Sequence, residues 1–200
     1  SDEGLAWVLV PTAAEGVECA TFPTHDGRGG MNCRFDLVLE ADCILLQGQP
    51  ASDALEAYRA LAMTLSSAET LGAAQAALDT TVDYTKQRVQ FGQPLASFQA
   101  LQHRMSNMLI QTELTRSLIY AACNAADNGH DDAARFARAA KVKATTVGRA
   151  VSQEAIQLHG GIATTDEYIV GHFFKRITAL ESWVCSKGEA LKEFMALSPS

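Results

Sequence analysis

Over the first 46 positions the apolar residues either alternate with polar ones or form short runs; from Ser52 onward they recur at three- and four-residue spacing. The first pattern is that of β-strands and the second that of helices. Leu5 opens a short apolar run that stops at Pro11. The segment 17–22 alternates and stops at Pro23, the segment 25–30 (HDGRGG) is turn chemistry, and 33–39 alternates again. So few strands leave open sheet edges, a liability that predicts further β-structure on the N-terminal side of this chain. The opening Ser-Asp-Glu-Gly, running at once into an apolar strand, also predicts a chain cut from a longer one.

The helical pattern divides into five pieces. Asp53 with Glu56 three positions later predicts the start of a first helix that runs to about position 87. Pro94 breaks the chain, and a second helix starts near Ser97. Phe98, Leu101, Met105, Met108, Leu109 and Ile119 form its apolar stripe, and Asn128-Gly129 ends it. A third helix spans 131–158, with Asp131 and Asp132 at its positive end, and stops at Gly160-Gly161. A fourth runs from Thr165 to about Trp183 with Asp166 and Glu167 in its first turn, and a short fifth covers 188–197. Long helices on short loops predict a mainly α fold, an antiparallel four-helix bundle over residues 51–200, preceded by a partial β-domain over residues 1–50.

Composition narrows the function. With 48% hydrophobic residues the chain can bury a core, and its net charge of −7 argues against nucleic-acid binding, which needs a basic face. Five scattered cysteines (Cys19, Cys33, Cys43, Cys123, Cys185) show no paired spacing, which predicts reduced, buried thiols in a cytoplasmic protein rather than a disulfide framework or a structural zinc site. His103, His159 and His172 lack metal-ligand spacing, so no metal is expected. There is no GxSxG, no P-loop, no dinucleotide-binding GxGxxG after a strand, and no apolar run long enough to span a membrane.

Two helix ends carry the candidate chemistry. One is Arg88-Val-Gln-Phe-Gly-Gln-Pro-Leu95 and the other is Gln157-Leu-His-Gly-Gly161. An Arg at a helix end favours the helix dipole, and a Gly pair stops a helix; either feature alone is ordinary. Together, an Arg that can fork onto a pyrophosphate, an aromatic ring at Phe91 and bare backbone at Gly160 and Gly161 suit the clasp of a large polar cofactor.

These segments, with Ala76-Ala-Leu-Asp-Thr-Thr-Val-Asp-Tyr84, Phe98-Gln99-Ala100, Asp166-Glu-Tyr168 and His172-Phe-Phe-Lys-Arg176, resemble the acyl-CoA dehydrogenase family of flavoproteins. Phe35-Asp-Leu-Val38, then Ala41 and a Leu-Leu pair, look like the last strands of that family's middle β-domain. The resemblance implies an N-terminal helical domain, a middle β-domain and a C-terminal bundle, of which this chain would hold the end of the second and all of the third. It implies FAD as cofactor, with Arg88 on the pyrophosphate, Phe91 at the adenine end, and Gln99, Gln157, Gly160 and Gly161 completing the clasp. It further implies an acyl-CoA substrate, α,β-dehydrogenation of its thioester, an electron-transfer flavoprotein as electron acceptor, and assembly as homodimers or tetramers or with a partner subunit.

The sequence departs from the family at the catalytic base. Most members carry a Glu about two dozen residues beyond the Gly pair, where Val184 and Cys185 stand here. A minority carry it on the first bundle helix, about ten residues before the Gly that matches Gly72, where Ala62 stands. Glu181 lies about a helical turn short of the first position, where a charged residue on a helix end is the simpler expectation. Ala163 replaces a usual third Gly. No catalytic residue is therefore assigned. Three readings follow: a dehydrogenase fragment lacking its base, a non-catalytic subunit of a heteromeric acyl-CoA dehydrogenase, and a flavin-free oligomerisation module.

Overall fold

The computed structural model describes residues 4–197. Among them the chain divides after Arg59 into two compact units. Strand β1 (Ala6–Val8) pairs antiparallel with β4 (Ile44–Gln47), and β2 (Val17–Pro23) pairs antiparallel with β3 (Gly29–Phe35). Trp7 Nε1 donates to the Ala51 carbonyl at 2.9 Å, and the Trp7 and Tyr58 rings meet edge-on at 6.1 Å. The turn between β2 and β3 is tighter than the 25–30 segment predicts. Thr24 N–H donates to the Arg28 carbonyl at 2.8 Å, so Gly29 and Gly30 already pair with Pro23 and Phe22. The strand consequently ends at Phe35, where alternation had predicted Leu39.

Helix α1 (Gln49–Gln87) begins a turn earlier than expected. Pro50 is the reason: its φ is pre-set for a helix start, and its missing N–H costs nothing there. Asp53 instead accepts from Gln49 Nε2 at 2.7 Å within the helix. A two-residue turn joins β5 (Val89–Gln90) to β6 (Gln93–Pro94). Then follow α2 (Gln99–Asp127), α3 (Ala133–His159), α4 (Ile169–Ser182) and α5 (Lys187–Ala196). Helix α4 starts after Asp166 and Glu167 rather than around them. Asp166 is drawn off by Lys175 Nζ at 2.7 Å, its backbone carbonyl accepts from His172 Nε2 at 2.7 Å, and Lys175 holds its carboxyl below the usual range. No helix among the described residues is long and apolar enough to cross a membrane.

Helices α1 to α4 form an antiparallel bundle, and its cross-links set the directions. Thr85 Oγ1 meets Met105 Sδ at 3.4 Å and Arg116 reaches Gln75 at 2.8 Å, so α2 runs back along α1. Arg104 pairs with Glu154 and Lys143 with Gln111, so α3 reverses again. Helix α4 returns beside α3 and α1, with Arg149 on Glu181 and a bidentate Arg176 on Glu69 at 2.7 and 2.9 Å. Helix α5 docks through Arg138 and Glu193.

The interior mixes larger apolar side chains with small ones. Ala74, Ala77, Leu78, Met105, Met108, Val147, Val151, Leu158 and Ile177 form its centre. Around them, Thr70, Thr81 and Thr112 are buried with each hydroxyl donating to the carbonyl four residues earlier. Such back-bonding satisfies a buried hydroxyl without adding bulk. The α2 stripe is only partly inward: Met105, Met108 and Ile119 are buried, whereas Leu109 is half exposed. Lys141 is also buried. Its Nζ donates to the Leu180 and Trp183 carbonyls at 2.6 and 3.0 Å, satisfying the free C-terminal end of α4, and burial pushes its pKa down.

Within the bundle the tightest approach at a glycine is at Gly148, where an added Cβ would lie 2.5 Å from Thr70 Cγ2 and 3.2 Å from Ile177 Cγ2. Thr70 cannot turn away freely, because its hydroxyl is held by the Ser66 carbonyl. Gly148→Ala should therefore lower stability by about 1–3 kcal/mol despite a helix-propensity gain of about 1 kcal/mol. Urea unfolding measures this, and unchanged stability would show that α1, α3 and α4 do not pack this closely.

Candidate functional site

Because successive helices alternate in direction, the C-terminal ends of α1 and α3 and the N-terminal end of α2 fall at one end of the bundle. Arg88 follows α1 directly, its N–H donating to the Tyr84 carbonyl at 2.8 Å, and Leu95 N–H closes the hairpin onto the Arg88 carbonyl at 2.8 Å. Gln99 opens α2, while Gln157 lies on the last turn of α3 and Gly160 and Gly161 follow it. All six predicted residues are exposed. Among the described residues the Arg88 guanidinium makes no hydrogen bond or ion pair, so its charge is available to a ligand.

Phe91 and Gly92 form the hairpin tip with φ of 54° and 81°. Two positive φ values in a two-residue turn match the twist of the flanking strands. Glycine accepts this conformation freely, whereas a phenylalanine there is strained by about 1–2 kcal/mol. The Phe91 ring is 91% exposed and touches the Phe98 ring edge-on at 6.2 Å. A strained, exposed aromatic is a poor solution for folding and a reasonable one for presenting a ring to a ligand.

Gly160 has φ 66° and ψ −146°, a region open essentially to glycine alone. A Cβ built on Gly160 or on Gly161 would meet nothing within 4 Å, so both backbones face open space. The residue before them fixes where they point. His159 is 4% exposed; Nδ1 donates to the Ala155 carbonyl at 2.8 Å, and its buried Nε2 has no hydrogen-bond partner. The ring stacks on Tyr84 with centroids 4.4 Å apart and leans on Tyr168 at 5.1 Å, while Tyr84 Oη donates to the His159 carbonyl at 3.3 Å. Tyr84 belongs to the last turn of α1, next to Arg88, so this stack joins the two predicted segments. His159 offers little in the sequence; its position before Gly160 was visible, but its ring partners lie 75 residues upstream and nine downstream.

The positions that hold a base elsewhere in the resembled family have no carboxylate here. Val184 sits at φ 70°, Cys185 and Ala62 are buried. Glu181 is gripped by Arg149 through two bonds of 2.7 and 2.6 Å, so both of its carboxylate oxygens are engaged by the guanidinium. A groove of about 580 Å³ between α1 and α2 is lined by Leu78, Val82, Lys86, Gln102, Met105 and Leu109 and includes none of the six predicted residues. The candidate site is thus an open face. The expectation of buried thiols holds only for Cys185. Cys19 and Cys33 are exposed, and Cys43 and Cys123 half-buried, because the strands and helix faces that carry them are open among the described residues.

Burial pushes the His159 pKa below its ordinary value, against the opposing pull of its hydrogen bond to the Ala155 carbonyl. The unfolded chain therefore takes up the proton first. The contribution of neutral His159 is complete above about pH 6.5 and is lost as pH falls from there towards the lower folded-state value, at up to about 1.4 kcal/mol per pH unit. His159→Phe, which keeps a ring in the stack, should flatten the fall in Tm between pH 7 and pH 5; an unaltered pH profile would place the titration elsewhere.

Residues 55–184 match the family model for the acyl-CoA dehydrogenase C-terminal domain. Acyl-CoA dehydrogenase IpdE2 of Mycolicibacterium smegmatis is 41% identical over 115 residues, 58% of this chain and 35% of that protein. The butyryl-CoA dehydrogenase of Megasphaera elsdenii superposes with a TM-score of 0.89 at 25% identity, covering 98% of this chain and 52% of that one. A variant of the Tcur3481-Tcur3483 steroid ACAD gives a TM-score of 0.82 at 28% identity, covering 95% of this chain and 50% of that one. The chain spans about a third of the curated relative's length and about half that of the solved chains. With two thirds of its residues matched by the family model and nearly all of them by the fold, the chain belongs to the acyl-CoA dehydrogenase family.

Proposed function

We propose that this chain contributes the FAD clasp of an acyl-CoA dehydrogenase and does not supply the catalytic base. The observation that carries this reading is the gathering of Arg88, Phe91, Gln99, Gln157, Gly160 and Gly161 at one end of the bundle, joined by the Tyr84–His159 stack. The residues fit the cofactor. Arg88 offers an unpaired cation for a pyrophosphate, Phe91 an exposed ring for an adenine, Gln99 and Gln157 exposed amides, and Gly160 and Gly161 bare backbone with room in front of it. FAD, when bound, supplies the acceptor for a hydride removed from the acyl thioester. The open form of the clasp suits a cofactor shared with another subunit, and a second copy or a different acyl-CoA dehydrogenase chain would complete it. An acyl-CoA thioester is the substrate of the whole assembly, and an electron-transfer flavoprotein its electron acceptor.

The missing carboxylates favour, within this reading, a non-catalytic subunit of a heteromeric enzyme. Val184, Cys185 and Ala62 cannot accept an α-proton as a carboxylate does, and Glu181 is committed to Arg149. A flavin-free oligomerisation module is the weaker reading, because an unpaired Arg88 and a strained Phe91 have no use in one.

Arg88→Ala should weaken FAD retention about 10- to 100-fold, as expected for loss of a charged hydrogen bond of roughly 1.5–3 kcal/mol, with Tm almost unchanged. Flavin absorbance after gel filtration reads this, and equal occupancy in the variant removes Arg88 from the clasp. Supplied with an acyl-CoA and an artificial electron acceptor, the chain by itself should show no steady turnover. Turnover that Glu181→Gln abolishes would make Glu181 the base and overturn the base-lacking reading.

A further inference from the structure

We propose that Cys19 and Cys33 form a redox-modification site, a thiol pair that a low-molecular-weight disulfide closes into a cross-strand Cys19–Cys33 bond. The two residues face each other directly in the β2–β3 register. Their place in the ladder follows from its two ends. Thr24 N–H donates to the Arg28 carbonyl, and Asp36 N–H donates to the Gly16 carbonyl. In an antiparallel pair the hydrogen-bonded positions alternate with the non-hydrogen-bonded ones. Counting inward from Thr24–Arg28 or from Gly16–Asp36, Cys19–Cys33 falls on a non-hydrogen-bonded position. There the Cα atoms lie closest, at about 4.5 Å, within the range that a disulfide spans without moving the backbone. The sulfurs are already 3.0 Å apart, and both cysteines are exposed to a soluble reagent. The other three cysteines are half-buried or buried and sit on other elements: Cys43 before β4, Cys123 on α2 and Cys185 after α4.

The reaction balances as ordinary thiol–disulfide exchange. The thiolate of one cysteine attacks a sulfur of the small disulfide. The S–S bond of the oxidant breaks, a mixed disulfide forms on the protein, and one small thiolate leaves and takes up a proton. The facing cysteine, as thiolate, then attacks the protein sulfur of the mixed disulfide and expels the second small thiol. Two cysteine thiols are oxidised to one disulfide, and one small disulfide is reduced to two thiols that carry away both electrons and both protons. The hydrogen bond between the sulfurs pushes the Cys19 thiol above its ordinary value, so the exchange quickens as pH rises. The second step needs no diffusion, because the resolving sulfur stands opposite the attacked one. The product ties β2 to β3 and is reopened by a dithiol reductant.

The test is to treat the fully reduced chain with oxidised glutathione and follow it by denatured intact mass and by peptide mapping after maleimide alkylation. Two of the five cysteines should become protected, the chain should lose two hydrogens without keeping glutathione, and the fragments holding Cys19 and Cys33 should appear linked until dithiothreitol separates them. Cys33→Ser should stop the exchange at a stable glutathione adduct on Cys19. Persistent glutathione on both cysteines, linkage to Cys43, Cys123, Cys185 or a second chain, or two thiols left unreacted would each overturn the proposal.

Discussion

The bundle depends on how closely its helices approach. At Gly148 the backbone of α3 sits against the methyl of Thr70 on α1 and the side chain of Ile177 on α4, with no room for a Cβ. Three helices meet at that one point, and the surrounding alanines and back-bonded hydroxyls extend the same small-residue surface along α1 and α2. Close packing fixes the axial position of each helix against its neighbours, since interiors at native density do not slide. The ends of α1 and α3 are brought level as a result.

That alignment is what gathers the candidate residues. Arg88 and Gly160 lie far apart in sequence, yet both follow the C-terminal ends of helices that run in the same direction. The Tyr84–His159–Tyr168 cluster then converts coarse alignment into a fixed geometry. A buried neutral imidazole with one nitrogen unpartnered is an expense in stability terms. The stack and the Ala155 bond hold it in place, and with it the backbone of the Gly pair. Phe91 shows the same trade, with left-handed backbone at an aromatic residue in the hairpin that Arg88 begins.

Charge is arranged differently at the two ends of α4. At its C-terminal end Lys141 closes off the free carbonyls, and Arg149 holds Glu181, about a turn short of the position where the resembled family keeps its base. At its N-terminal side Asp166 is spent on Lys175. Asp166 and Glu181, at the two ends of α4, are thus each held by a basic side chain.

The sequence by itself determined the class of each half and the number of helices, and it nominated the six residues proposed for the clasp, because spacing, Gly pairs and a proline are local signals that tertiary contacts do not rewrite. It placed helix starts less well: Pro50 and the Asp166–Lys175 pair outweighed the acidic residues that read as caps, since a carboxylate goes to whichever partner the fold brings nearest. Only the tertiary structure decided that Arg88 and the Gly pair share one end, that His159 sets their geometry, that Glu181 is bound to Arg149, and that Cys19 faces Cys33. Each of these joins residues distant in the chain, and the register of a hairpin or the level of a helix end exists only after packing has closed the loop between them.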